Sequence, residues 1–94
     1  MTDMSTVDDR LGWFIEKMRS KLAVSKNLAK GDWRSMTDNY LIRRIDDEVA
    51  ELKVELFDVA RTDPERIIKE CADVANFAFM LADWVQAHPE VFKG

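Results

Sequence analysis

The chain has a single cysteine, Cys71, and a single histidine, His88. One thiol excludes an intrachain disulfide and fits a reducing compartment. Together the two residues are too few for a zinc site. The Glu-x-x-His motifs of di-iron carboxylate bundles are also missing, because His88 lies far from the Glu pairs described below. No D-x-D-x-D-G loop is present, which removes an EF-hand, and no nucleophilic triad is in evidence. Basic residues are outnumbered: 14 Lys and Arg face 18 Asp and Glu, a net charge of −4. That balance argues against a nucleic-acid polymer or an anionic membrane surface as partner. A nucleotide stays open, since a metal masks acidic side chains locally. No apolar run approaches the ~18 residues of a membrane span. The acidic, polar stretch Met1 to Arg10 lacks a signal-peptide core. A cytoplasmic location is therefore expected. Glycine (12, 31, 94) and proline (64, 89) are scarce, and there is no strand-like alternation, internal repeat or low-complexity tract.

What remains is helical. The 94 residues read as one domain, 1–94, with 47% hydrophobic residues. So short a chain buries only a limited core. Its apolar content therefore predicts self-association, as a homodimer or homotetramer. Apolar periodicity predicts helices over about 7–23, 39–61 and 64–87. The stripes are Val7, Leu11, Phe14, Ile15, Met18 and Leu22; then Leu41, Ile45, Val49, Leu52, Leu56 and Val59; then Ile67, Cys71, Val74, Ala78, Leu81 and Val85. On the third helix Ile68, Ala75, Phe79 and Ala82 widen the stripe, as for a helix with more than one partner. Ser35, Thr37 or Asp38 suits the cap of the second helix. Thr62 with Glu65, or Asp63 with Pro64 at the first helical position, suits the third. The expected fold is all-α: a three-helix chain whose hairpins pair into an oligomeric four-helix-bundle core.

Two acidic motifs carry the chemistry. Glu48-Val49-Ala50-Glu51 reads ExxE, and Glu70-Cys71-Ala72-Asp73 reads ExxD. Spacing of i, i+3 puts both acids of a motif on one helix face. On a wheel of about 100° per residue, Glu48, Glu51 and Glu55 fall within about 60° of each other, beside the apolar stripe. Acids at the core border repel one another unless a counter-charge is present. The natural one is a hard divalent cation, and magnesium sites of this kind hold phosphates. A solvated charged face is the competing reading of either motif alone.

The run Asp47-Glu48-Val49-Ala50-Glu51-Leu52, then Glu70-Cys71-Ala72-Asp73-Val74, with 18 residues between Glu51 and Glu70, resembles the MazG-like all-α nucleoside triphosphate pyrophosphohydrolases. Their motifs lie on two antiparallel helices, here about Leu41 to Trp84. Upstream, Lys21-Leu22 through Asn27 and Lys30-Gly31-Asp32-Trp33 is similar to phage-type members that act on dATP and dGTP. Many relatives carry further C-terminal helices that these residues do not contain, so no lid-like closing element is expected within them.

The resemblance implies Mg²⁺-dependent hydrolysis of a (deoxy)nucleoside triphosphate to the monophosphate and pyrophosphate, by water attack at the α-phosphorus. Mn²⁺ is the alternative metal, and purine deoxynucleotides the favoured substrates. It implies Glu48, Glu51, Glu70 and Asp73 as metal ligands. Glu51 is the expected general base, with Glu48 its competitor. Lys26, Lys30 and Arg34 are candidate phosphate partners. Asn76 is a candidate for sugar or phosphate, with a helix-surface or interface amide as its equal alternative, and Trp33 for stacking on the base. Trp33 has an equal alternative as an anchor of its loop on the core. Trp13, Phe14 and Phe77 read as core, Cys71 as buried and inert, and His88 as a helix-end partner. The rival function is a non-enzymatic helical oligomer, acting as an interaction or nucleotide-sensing module.

Overall fold

The computed structural model describes residues 2–23, 32–58 and 63–92. These form α1 (Met4–Leu22), α2 (Asp38–Phe57) and α3 (Pro64–Ala87), with short 3₁₀ turns at Trp33–Ser35 and Pro89–Phe92. There is no strand among the described residues. No helix among them is long and apolar enough to cross a membrane.

Caps decide where the helices begin. α1 starts three residues before its apolar stripe, because the Asp3 carboxylate accepts from the Thr6 amide at 3.0 Å. That amide, helped by the Ser5 hydroxyl, holds the Asp3 carboxyl below its ordinary value. Of three candidate caps for α2, Thr37 takes the role, its Oγ1 accepting from the Tyr40 amide at 3.1 Å. α2 ends at Phe57, short of the expected 61, because Asp58 turns to extended backbone with ψ of 130°. For α3, Asp63 caps at 3.0 Å from the Glu65 amide with Pro64 opening the helix, the second of the two arrangements expected. Val59 and Thr62 lie outside the described residues.

α2 and α3 form the main pair, and α1 and the first 3₁₀ turn pack on α3. The pair is antiparallel, as its end contacts show. Glu55, late in α2, meets Arg66, early in α3, at 2.7 Å. Trp84, late in α3, donates its indole N–H to the Met36 carbonyl just before α2, at 2.7 Å. Leu41 and Ala72 are fully buried and Trp84 nearly so.

Among the described residues two buried ones are polar: Glu48 and Asn76. The deepest line of the α2–α3 seam thus takes in Leu41 from the expected stripes and otherwise residues beside them. Ile45, Val49, Leu52, Ile67 and Val74 are only half-buried, and Leu56, Ala78 and Val85 are exposed. No residue of α1 is buried, and Leu11 and Ile15 of its stripe are about half exposed. The reason is geometric, since three helices leave the outer flank of each stripe uncovered. The accessible surface is 7043 Å², against roughly 5,600 Å² for a compact monomer of this mass. The radius of gyration is 15.4 Å, against about 12 Å for a compact chain of this length.

Because the core is thin, its one fully buried large side chain among the described residues matters most. Leu41→Ala is expected to cost about 2–5 kcal/mol, read as a lowered urea midpoint at unchanged slope.

Candidate metal centre

The α2–α3 pairing turns one face of each helix towards the other. From α2 come Arg44, Glu48 and Glu51, four and three residues apart; from α3 come Glu70, Asp73, Asn76 and Phe77. One carboxylate oxygen from each of Glu48, Glu51 and Glu70 lies within 4.8 Å of the other two. The three differ in exposure: Glu48 is buried, Glu70 half-buried and Glu51 exposed. The group is therefore a cup, closed at Glu48 and open at Glu51.

Glu48 is held from one side only. Arg44 Nη2 donates to Glu48 Oε1 at 2.8 Å, while its Nη1 reaches Asp47 at 3.0 Å. The guanidinium lies 4.9 Å from the centre of the Phe77 ring, which fixes its plane. Glu48 Oε2 is buried without a hydrogen-bond partner, and so are Glu70 Oε2 and Asn76 Oδ1. Asn76 is oriented from behind. Its Nδ2 donates to the Met18 carbonyl of α1 at 3.0 Å, which leaves Oδ1 as the unused acceptor.

Buried acceptors without donors are rare in folded proteins and ask for a donor or a cation. The electrostatics agree. Burial, then the charges of Glu51 and Asp73, push the Glu48 carboxyl up to about 7 against the pull of Arg44. Burial, Asp73 and Glu51 raise Glu70 as well, opposed by Lys21.

A hard divalent cation suits this donor set, which is all oxygen and rich in negative charge. Magnesium binds at 2.0–2.1 Å, so neighbouring ligand oxygens sit about 3 Å apart and opposite ones about 4 Å.

The other expected site residues are distributed unevenly. Asp73 falls outside the three-carboxylate group and pairs with Lys21 of α1 at 3.4 Å. Glu55 is claimed by Arg66. Trp33 and Arg34 converge on Asp83 instead of on the carboxylates. The Trp33 indole donates to it at 2.9 Å, and Arg34 grips both its oxygens at 2.8 Å. Asp83 lies ten residues beyond Asp73, about 15 Å further along the helix. The Arg34 and Trp33 donors hold the Asp83 carboxyl down at about 2, and Asp83 in turn raises Arg34. Trp33 also meets the Phe79 ring edge-on at 5.8 Å. In this arrangement Trp33 anchors its segment to α3. Lys26 and Lys30 lie outside the described residues.

Cys71 is half-buried, less enclosed than expected. Trp13 is about half exposed, while Phe14 and Phe77 are half-buried. His88 stacks on Trp84 at 4.2 Å, with Nδ1 2.8 Å from the Trp84 carbonyl at the end of α3. Two participants were not among the expected site residues. Arg44 carried a signal, its i, i+4 spacing to Glu48. Lys21 opens the upstream stretch quoted above, but nothing in its spacing marks it as a partner of Asp73, 52 positions away.

No family model, no curated protein and no solved structure matches the chain.

A carboxyl raised from 4.5 to about 7 binds its proton more tightly in the folded state. The metal-free protein is therefore expected to lose stability as pH rises from about 4.5 to about 7, with melting temperature falling across that window. Saturating Mg²⁺ is expected to raise the melting temperature at pH 8 and flatten the slope. Glu48→Gln keeps an acceptor for Arg44 and turns an amide donor towards Glu51 and Glu70. It is expected to stabilise the metal-free protein at pH 8 and abolish the Mg²⁺ response, both read by calorimetry.

Proposed function

We propose that this chain is a MazG-like all-α nucleoside triphosphate pyrophosphohydrolase. It would convert a (deoxy)nucleoside triphosphate, by preference a purine dNTP, to the monophosphate and pyrophosphate. The observation that carries the reading is the Glu48–Glu51–Glu70 group, three carboxylates within 4.8 Å of one another with two buried, unpartnered oxygens. A structural hairpin has no use for such a group. A triphosphate, brought in with its own Mg²⁺ or Mn²⁺, does.

Glu48, Glu51 and Glu70 would hold the metal, and Asp73 borders them. The bound ion supplies charge neutralisation at the phosphoryl oxygens and a lowered pKa for a coordinated water. The chain's own residues do the rest. Arg44 holds Glu48 Oε1, while Oε2 is buried without a hydrogen-bond partner. Glu51 is the member of the group that opens to solvent, where an attacking water enters, and this suits it to the role of general base. Asn76, held by Met18, presents a carbonyl oxygen to whatever water or hydroxyl reaches the closed end. The sharing of positions by metal, base and water is a matter of placement.

The test is a panel of NTPs and dNTPs with Mg²⁺ or Mn²⁺, scoring pyrophosphate against orthophosphate. Pyrophosphate is expected, with loss of at least about 100-fold in rate for Glu51→Gln if it removes the proton acceptor. Orthophosphate as first product would overturn attack at the α-phosphorus.

The exposed apolar side chains favour a second feature, self-association in the cytoplasm. Val54 and Phe57 are about 70% exposed on α2, with Trp13, Leu11 and Ile15 on α1. We read these as surfaces covered by further copies in a homodimer or homotetramer with a four-helix core. A helical oligomer without turnover, serving as a nucleotide sensor or interaction module, is the rival. Light scattering on the eluting protein is expected to give two or four times the 10.9 kDa chain mass. Assembly with no turnover of any nucleotide would favour the rival.

A further inference from the structure

Lys21 lies on α1, outside the α2–α3 hairpin that carries the acidic motifs, yet its ammonium sits 3.4 Å from the Asp73 carboxylate. Its side chain is about a third exposed, so it stands at the rim of the cup and not beneath it. Its charge also bears on Glu70, opposing the upward shift of that carboxyl. The Asp73 charge bears on both Glu48 and Glu70. Lys21 is thus the cation that α1 lends to the acidic group, as Arg44 is the one from α2.

The two cations are held differently. Arg44 is bidentate, binds Asp47 and Glu48 from the same helix, and rests on Phe77. Lys21 is a point charge on a flexible stem, reaching across from another helix. A divalent ion on Glu48, Glu51 and Glu70 repels Lys21, whose charge already bears on Glu70, and is far less able to displace Arg44.

We propose that Lys21 is an exchangeable counter-ion: it neutralises Asp73 in the metal-free protein, is displaced when a divalent cation binds the carboxylates, and then binds a phosphate oxygen of the polyphosphate held there. The inference rests on the metal-dependent reading above and adds a substrate-binding residue to it. The acidic cluster itself is credible as a cation site because Glu48 and Asn76 are each about 95% buried with an oxygen unpartnered. The exchange needs only a side-chain rotation. α1 keeps two other ties to α3, Lys17 to Glu65 at 3.7 Å and Asn76 to the Met18 carbonyl. Removing the Lys21 charge therefore leaves the helix docked.

The two halves of the proposal predict effects of opposite sign. In Lys21→Met, Mn²⁺ binding to the nucleotide-free protein, followed by titration calorimetry, is expected to tighten about two- to fivefold as the competing ion pair is lost. Binding of magnesium pyrophosphate at saturating Mg²⁺ is expected to weaken about tenfold as a charged hydrogen bond is lost. Lys21→Arg keeps the charge and is expected to stay within about twofold of wild type in both. Lys21→Gln replaces Lys21→Met if circular dichroism shows loss of helix. A purely structural role for Lys21 would weaken both ligands together, and that result overturns the proposal, as does no change in either. If the wild-type protein itself binds no Mn²⁺, the metal-dependent reading falls, and this inference with it. If wild type binds Mn²⁺ and the variants do not separate, only the inference falls.

Discussion

The burial of Glu48 governs the rest of the molecule. A carboxylate withdrawn from water is costly unless it is paired. Here only one of its oxygens is paired, by Arg44, while the other is buried without a partner, and two more glutamates crowd the same group. The helix pair therefore closes around a point of electrostatic conflict. Protons relieve it below neutral pH, as the raised carboxyls of Glu48 and Glu70 indicate. A divalent cation relieves it more completely. Leu41 and Ala72 on the same seam, and Trp84 at its end, provide the apolar burial that offsets the conflict.

The hairpin is clamped at both ends by side chains that keep the seam in register. At one end Trp84 donates to the Met36 carbonyl, and Asp83 collects Trp33 and Arg34. At the other, Arg66 holds Glu55. The Arg34–Asp83 pair is exposed, so its worth lies in placing the 3₁₀ turn and not in net stability. Between the clamps the carboxylates are presented by two rigid helices, the kind of support on which a precise site depends. α1 contributes from outside through Met18, Lys17 and Lys21, without burying a residue of its own.

Much of this was legible in the residues. Periodicity located all three helices, and the last of them, 64–87, to the residue. The errors at helix ends follow from reading apolar stripes, which do not register a cap such as Asp3 or an extended residue such as Asp58. The i, i+3 spacing put Glu48 beside Glu51, and the hairpin brought Glu70 to them. Trp33 was ambiguous because a tryptophan in a polar loop serves equally as a stacking platform or an anchor. Asp83, its partner here, carries no mark that distinguishes it from other helix-surface acids.

The sequence by itself determined the helical class, short sets of candidate caps that included Thr37 and Asp63, and the alignment of acids along each helix, because these depend on neighbours within four residues. The tertiary structure decided which acids converge. It split the four expected ligands into a group of three and an Asp73 paired with Lys21. It also buried Glu48 and Asn76 where apolar stripes were expected to meet. Those outcomes depend on how two helices are rotated against each other and on a third helix reaching across, and distance along the chain carries no information about either.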